Sequence, residues 1–185
     1  MSALFRFFDR SLTFKQLLWL IPILLTLHNV EEALTMPQWV ATNLAAIKSH
    51  LSFDPGIEFT STQLLVSLSL ATVVPWGAAI FCVNGEKGSI KVALLILLQA
   101  IVFLNAIVPH LSWTVWMGEY NPGFITALLI NLPFSLYFFR RAFREGYLVR
   151  KSAVAIFLAA LPAYPAAAWS LHFLGEVIAK KLFLV

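Results

Sequence analysis

The sequence is poor in charge and almost free of cysteine. Charged residues make up 12% of the 185 residues and hydrophobic residues 60%, whereas ordinary soluble domains contain about 25% charged and about 45–50% apolar residues. The composition therefore excludes a typical soluble domain. Cys82 is the single cysteine, so an intrachain disulfide and a cysteine-ligated metal cage are excluded as well.

Long apolar runs recur along the chain and raise its mean hydropathy to +0.83. Each run approaches the roughly 20 residues that a helix needs to cross ~30 Å of hydrocarbon. The runs lack the alternation of strands, and in lipid a helix satisfies its own backbone, so we predict an all-α integral membrane protein. We expect a single domain, residues 1–185, with five transmembrane helices at approximately residues 17–36, 62–83, 89–110, 122–142 and 153–175.

The positive charges predict how this bundle is oriented. Ten of the 13 Lys and Arg residues fall on one side of the five predicted spans, and only Lys48, Lys180 and Lys181 fall on the other. By the positive-inside rule, the N-terminus is cytoplasmic and the C-terminus extracytoplasmic. The basic residues form no separate domain or motif, so no nucleic-acid partner is expected. A cleavable signal peptide is disfavoured, because the polar stretch HNVEEAL follows the first run where a small-residue cleavage site would stand.

Two segments on the outer side carry local signals. Apolar residues recur at helical spacing after Pro37, which predicts a short interfacial helix there; they are Trp39, Val40, Leu44, Ile47 and Leu51. The sequence YNPG predicts Asn121 as the N-cap and Pro122 as the first residue of the fourth span. His50 and Glu119 are expected to be surface residues of the outer loops.

The ionisable residues of the predicted spans gather on the outer side. They are His28, Glu31 and Glu32 in the first span, His110 at the end of the third, and His172 and Glu176 at the end of the fifth. Residues three or four apart share a helix face, so His28 can stand over Glu31 or Glu32. A carboxylate at a helix centre costs about 2.5–3.5 kcal/mol on insertion scales. Protonation, pairing with histidine or a divalent metal could offset this cost, and each implies a polar pocket inside the bundle.

Three motifs together resemble a known family. HNVEE, residues 28–32, resembles the signature of the HXXEE family of small bacterial and fungal multi-span membrane proteins. NAIVPH, residues 105–110, and YNPG, residues 120–123, resemble later elements of the same family. The resemblance implies a role that is presumed to be enzymatic. It implies these candidate catalytic residues: His28, Glu31, Glu32, Asn105, His110 and Tyr120.

The first functional hypothesis is a metal-dependent membrane enzyme. Nitrogen and oxygen donors without thiolate suit zinc, iron or manganese. The candidate ligands are His28, Glu31, Glu32, His110, His172 and Glu176. Zinc would favour hydrolysis of a lipid-like ester or amide, and two irons would suggest oxidation, although di-iron bundles usually carry more carboxylates. We see no nucleotide or haem motif, and the expected partners are membrane lipids and a small hydrophobic substrate.

Two alternatives use the same pocket without a metal. One is His/Glu acid–base catalysis by an isomerase or cyclase on a lipophilic substrate, in which burial keeps one glutamate as a neutral acid. The sterol-isomerase and sigma-2-receptor superfamily is similar in residue types and bundle size. The other alternative is a proton-coupled transporter or ligand-binding membrane protein. The chain shows no inverted repeat or pair of broken helices, which counts against transport.

Overall fold

A computed structural model describes the backbone of residues 9–50 and 60–183, with side chains for residues 9–43 and 60–182. The described part of the chain consists of helices and turns without strands. We number five helices. They are α1 (Phe14–His50), α2 (Ser61–Cys82), α3 (Ile90–Met117), α4 (residues 124–144) and α5 (Arg150–Phe183). Two of them contain π-helical turns, α3 at Ala106–Ser112 and α4 at Ala127–Asn131.

Four helices are long and apolar enough to cross a membrane. Their spanning segments are Phe14–Asn43, Ser61–Cys82, Ile90–Met117 and Arg150–Leu182. The prediction of an all-α, multi-pass membrane protein is confirmed at this level. α4 matches the fourth predicted span in position but is not among these four helices.

α1 differs from the prediction at its C-terminal end. It continues through Pro37 to His50 as one helix of 37 residues, so the predicted end at residue 36 and the separate interfacial helix are wrong. A proline removes one backbone donor, and membrane helices tolerate that loss when side-chain hydroxyls bond neighbouring carbonyls. Leu51, the last residue of the predicted pattern, lies outside the described residues.

The start of α4 also differs from the prediction. Gly123, with φ of 80°, is the N-cap, and the helix begins at Phe124 instead of Pro122. Asn121 does not cap with its side chain, because its amide donates to the Pro109 carbonyl of α3 at 2.6 Å. This bond holds the loop between α3 and α4 against the end of α3.

The bundle has an apolar end, where the first turns of α1 pack against α3 and α4. Six of its side chains are less than 2% exposed: Leu17, Leu18, Ile21, Leu95, Ile96 and Phe138. In lipid, burial of apolar surface contributes little free energy to helix association, so close packing holds the helices together. α5 packs tightly on α2, since a Cβ atom at Gly175 would lie 2.1 Å from Oγ of Ser67. The functional candidates lie beyond the apolar end, towards the loop between α3 and α4.

Candidate functional site

Three potential ligands meet between α1 and α3. His28, Glu32 and His110 are 0%, 8% and 3% exposed, and one donor atom from each lies within 4.8 Å of the other two. Oε1 of Glu32 is 3.7 Å from Nε2 of His28 and 3.4 Å from Nε2 of His110. His28 and Glu32 share a face because they are four residues apart on α1. The cluster therefore consists of two side chains from α1 and one imidazole from α3.

A π-helical turn brings Asn105 and His110 onto the same face of α3. In an α-helix, residues five apart point about 140° away from each other. The π turn at Ala106–Ser112 places them over one another instead, because its backbone bonds join residues five apart. The amide nitrogen of Asn105 lies 3.1 Å from Nε2 of His110. π turns of this kind are frequent at functional sites.

Asn105 also identifies the nitrogen lone pairs that converge on the site. Its Nδ2 atom is 3.2 Å from Nε2 of His28 as well as 3.1 Å from Nε2 of His110. An amide NH2 group has two hydrogens and donates to two acceptors. Both imidazoles thus direct an Nε2 lone pair towards one point beside Glu32.

Thr126 of α4 fixes the tautomer of His28. Its Oγ1 atom is 2.6 Å from Oε2 of Glu31 and 2.9 Å from Nδ1 of His28. The single hydroxyl hydrogen goes to the Glu31 carboxylate, which only accepts, so Thr126 accepts its other bond from Nδ1–H of His28. This leaves Nε2 of His28 unprotonated and available as a ligand, as metal-binding histidines require.

Glu31 and Tyr120 bind the start of α4 and do not join the three ligands. Oε1 of Glu31 accepts from the Tyr120 hydroxyl at 2.8 Å and from the Ile125 N–H at 3.1 Å, while Oε2 accepts from the Thr126 N–H at 2.8 Å. A carboxylate is favourable at a helix N-terminus. Partial burial, and then the neighbouring Glu31, raise the pKa of Tyr120, which keeps its hydroxyl a donor.

Gly123 covers the cluster directly. A Cβ atom at this position would lie 2.7 Å from Cε1 of His28, 2.7 Å from Cε1 of His110 and 2.9 Å from Cγ of Glu32. Real Cβ atoms essentially never approach other atoms so closely. Its φ of 80° also favours glycine. The backbone of the α3–α4 loop therefore lies against all three ligands only because this residue has no side chain.

The structure does not bring His172 and Glu176 to this cluster. Nδ1 of His172 is 3.1 Å from the amide nitrogen of Gln63 on α2, and Glu176 pairs with Lys180 at 2.8 Å. The packing of α5 on α2 directs His172 towards α2. Glu119 is exposed in the α3–α4 loop, as expected. His50 is the last residue of α1, and its side chain lies outside the described set.

Sequence reasoning missed Thr126 and Gly123. The signal for Gly123 was present in YNPG, because a glycine after proline at a span boundary often marks a close backbone approach. Thr126 follows three residues later and carries no signal of its own. Its role depends on the contact between α4 and α1, and the periodicity of a single helix does not predict which helices are in contact.

The separation of Glu32 from each histidine is close to what a small divalent ion requires. Donors about 2.0–2.2 Å from a tetrahedral ion are about 3.3–3.6 Å from one another. The two distances from Glu32 to the histidines, 3.4 and 3.7 Å, lie close to that range. The Asn105 amide stands near the point where such an ion would sit, so binding would require this amide to turn or move.

The chain matches one sequence family over residues 19–138, described as a protein of unknown function with HXXEE motif. It is also 28% identical over 130 residues to a protein of Bacillus subtilis (strain 168) named "Uncharacterized protein YrkK", an alignment that covers 70% of this chain and 77% of the relative. No solved structure matches the chain. The matched region contains His28, Glu32 and His110 together with Asn105 and Thr126, which contact them, and the chain belongs to the HXXEE family.

Proposed function

We propose that this protein is a metal-dependent membrane enzyme whose ion is held by His28, Glu32 and His110. The observation that carries the proposal is the convergence of two Nε2 lone pairs and one carboxylate oxygen within 4.8 Å in a buried site. A buried carboxylate needs compensation, and a divalent cation supplies it. Glu31 and Thr126 support the site by setting the tautomer of His28.

The ligand set favours zinc or ferrous iron. Two histidines and a glutamate hold zinc in several hydrolases, and two histidines with one carboxylate are typical of non-haem iron oxygenases. Three protein ligands would leave the fourth coordination position of such an ion open, and an ion held in this way activates water or polarises a carbonyl. Thr126 and Glu31 orient His28, Tyr120 holds Glu31, and the Asn105 amide lies beside both histidines, where it could donate to a bound substrate.

The proposal includes a topology of five spans with the N-terminus in the cytoplasm. α4 ends in Arg140, Arg141 and Arg144, and the positive-inside rule favours a cytoplasmic C-terminus for this helix, with the α3–α4 loop on the opposite side. The cluster then lies in the outer half of the bundle, with the apolar end between it and the cytoplasm. A site at this depth suits a lipid-like or small hydrophobic substrate that enters from the membrane.

The second candidate is metal-free acid–base catalysis on a lipophilic substrate. It is favoured by the contacts that Glu32 makes directly with two histidines and by the Asn105 amide between them. In this case the Glu32 carboxyl group would transfer a proton to or from the substrate, and His28 and His110 would stabilise its protonated and ionised forms. The apolar end argues against a third role in transport, because its tightly packed side chains would block a polar path across the membrane.

Metal content separates the two candidates. The protein, purified in detergent, would be incubated with Zn²⁺, Fe²⁺ or Mn²⁺, freed of excess ion and analysed for bound metal. We expect about one ion per chain, and a loss of at least tenfold in affinity for Glu32→Gln and His110→Gln. His172→Gln and Glu119→Gln serve as matched controls and should bind like the wild type. Absence of binding in the folded wild type, or full binding by Glu32→Gln, would refute the metal site and leave the acid–base candidate.

A further inference from the structure

A second polar layer lies between α3 and α4, deeper in the bundle than the His/Glu cluster. It contains Gln99, Asn131 and Ser135, which are 0%, 1% and 0% exposed. Gln99 precedes Asn105 by six residues on the same helix, so it lies about 9 Å further along the helix axis. Leu95 and Ile96 of the apolar end follow directly beyond it. None of the three residues takes part in the site described above.

The hydrogen bonds of Ser135 fix the orientation of the Gln99 amide. The Ser135 hydroxyl donates to the Asn131 backbone carbonyl at 2.6 Å, which uses its only hydrogen. It can therefore only accept from Gln99, whose amide nitrogen lies 2.7 Å away. The oxygen Oε1 of Gln99 consequently points elsewhere.

Three polar atoms of this layer have no hydrogen-bond partner among the described residues. They are Oε1 of Gln99, Nδ2 of Asn131 and Oδ1 of Asn131. Both polar atoms of Asn131 are unpaired, so exchanging its oxygen and nitrogen would not remove the deficit. Buried polar atoms are almost always paired, and an unpaired group in a native interior usually marks an unseen water or ligand. Three such atoms on two neighbouring helices point to one shared occupant.

We propose that Gln99 and Asn131 bind a neutral hydroxyl group, carried either by a water molecule or by a hydroxyl-bearing ligand. A water molecule can donate to both unpaired oxygens and accept from Nδ2 of Asn131, whereas a ligand hydroxyl can donate to one of the oxygens and accept from Nδ2. The layer contains no charged side chain, so a neutral group fits better than an ion. The apolar end closes the layer on one side, so a ligand would approach from the side of the His/Glu cluster. This inference does not depend on metal binding.

The first test is density in an experimental structure at about 2 Å resolution or better, from protein kept in lipid and from protein stripped of lipid. An isolated peak about 2.6–3.2 Å from Gln99 Oε1 and an Asn131 amide atom, present in both samples, would identify water. Elongated density that reaches this position only in the lipid-kept sample would identify a hydroxyl-bearing ligand. The absence of any density within that range in both samples would overturn the proposal.

The second test is the thermal stability of Asn131→Leu, which keeps the number and branching of the side-chain heavy atoms and removes both polar atoms. If the hydroxyl site is occupied, the substitution removes real hydrogen bonds, and the melting temperature should fall by about 2–5 °C. If the site is dry, the substitution removes two unpaired groups, and the melting temperature should rise, which would contradict the proposal. Asn29→Leu is the matched control. Asn29 is also buried but has a direct bond to Thr72 Oγ1 at 2.8 Å, so its loss should lower the melting temperature.

Discussion

A Cβ atom at Gly123 would lie 2.7 Å from Cε1 of His110, well inside the contact distance of two carbon atoms. The α3–α4 loop and the His/Glu cluster are thus packed without space for even one methyl group. Because His28 and Glu32 would lie 2.7 and 2.9 Å from the same Cβ atom, any side chain here must displace all three candidate ligands or the loop itself.

Gly123→Ala should therefore weaken metal binding by tenfold or more while the helices remain folded. A shift of a few tenths of an ångström in two imidazoles is enough to spoil ligand geometry, because donor positions must be correct to within about 0.2 Å. Bound metal and helix content by circular dichroism would be measured on the same preparation. The prediction fails if the variant binds metal with unchanged affinity.

Gly118→Ala is the matched control for this substitution. Gly118 lies in the same loop with φ of 69°, so alanine there suffers a similar backbone strain. A Cβ atom at Gly118 would meet nothing within 4 Å. Its variant should therefore lose comparable stability but keep its affinity for metal, which separates strain from displacement of the ligands.

Thr126→Val should reduce metal affinity by about 10–100-fold, the usual effect of removing a group that orients a ligand. Valine keeps the shape of threonine but cannot accept from Nδ1–H of His28 or donate to Glu31. Thr126→Ser keeps both bonds and should restore most of the affinity. Affinity would be measured by competition with a chelator. Equal affinities for the valine and serine variants would show that the hydroxyl does not position His28.

Much of the fold was accessible from the sequence because membrane helices are coded by composition over about 20 residues. The apolar runs predicted the positions of the helices, and the spacing of four placed His28 and Glu32 on one face. Pro37 was misread as a helix end. The competing effect was the tolerance of membrane helices for proline, because neighbouring helices, Ser or Thr side chains and ordered waters can satisfy the backbone groups that a proline frees.

The rest of the site depends on relations between helices. Asn105 and His110 face each other only because α3 forms a π turn, and their spacing of five residues argues against a shared face in an ordinary helix. Glu31 resembles Glu32 in sequence, yet it binds the first turn of α4 while Glu32 faces the histidines. The difference between them arises from which neighbour each side chain meets, which no single-helix pattern specifies.

Asp9 should contribute stability that is lost in acid. Hydrogen bonding to Arg144, aided by Tyr137, lowers the pKa of Asp9 from its ordinary value near 3.8 to about 2. A depressed pKa in the folded state means that the stabilisation is complete above about pH 4 and disappears as the pH falls towards 2. Solvent around the partly exposed Arg144 screens the pair, so we expect about 1 kcal/mol at neutral pH.

Thermal melts of Asp9→Asn and the wild type between pH 7 and pH 2.5 would check this. The variant should melt lower at pH 7, and the difference should shrink as the pH approaches 2.5. Glu86→Gln, a change at an exposed carboxylate, should show no such convergence. A constant difference between Asp9→Asn and the wild type across the range would contradict the role of the Asp9 charge.

The proposed topology predicts that the loops at the two ends of α4 lie on opposite sides of the membrane. Single cysteines would be placed at Glu119 and Lys151, both exposed, in a Cys82→Ser background that removes the only native thiol. With a membrane-impermeant maleimide added to intact cells, Glu119→Cys should react and Lys151→Cys should react only after the membrane is permeabilised. Both variants should react fully in detergent, which controls for burial. Labelling of both residues from the same side would mean that α4 does not cross the bilayer. The proposed topology of five spans would then be wrong.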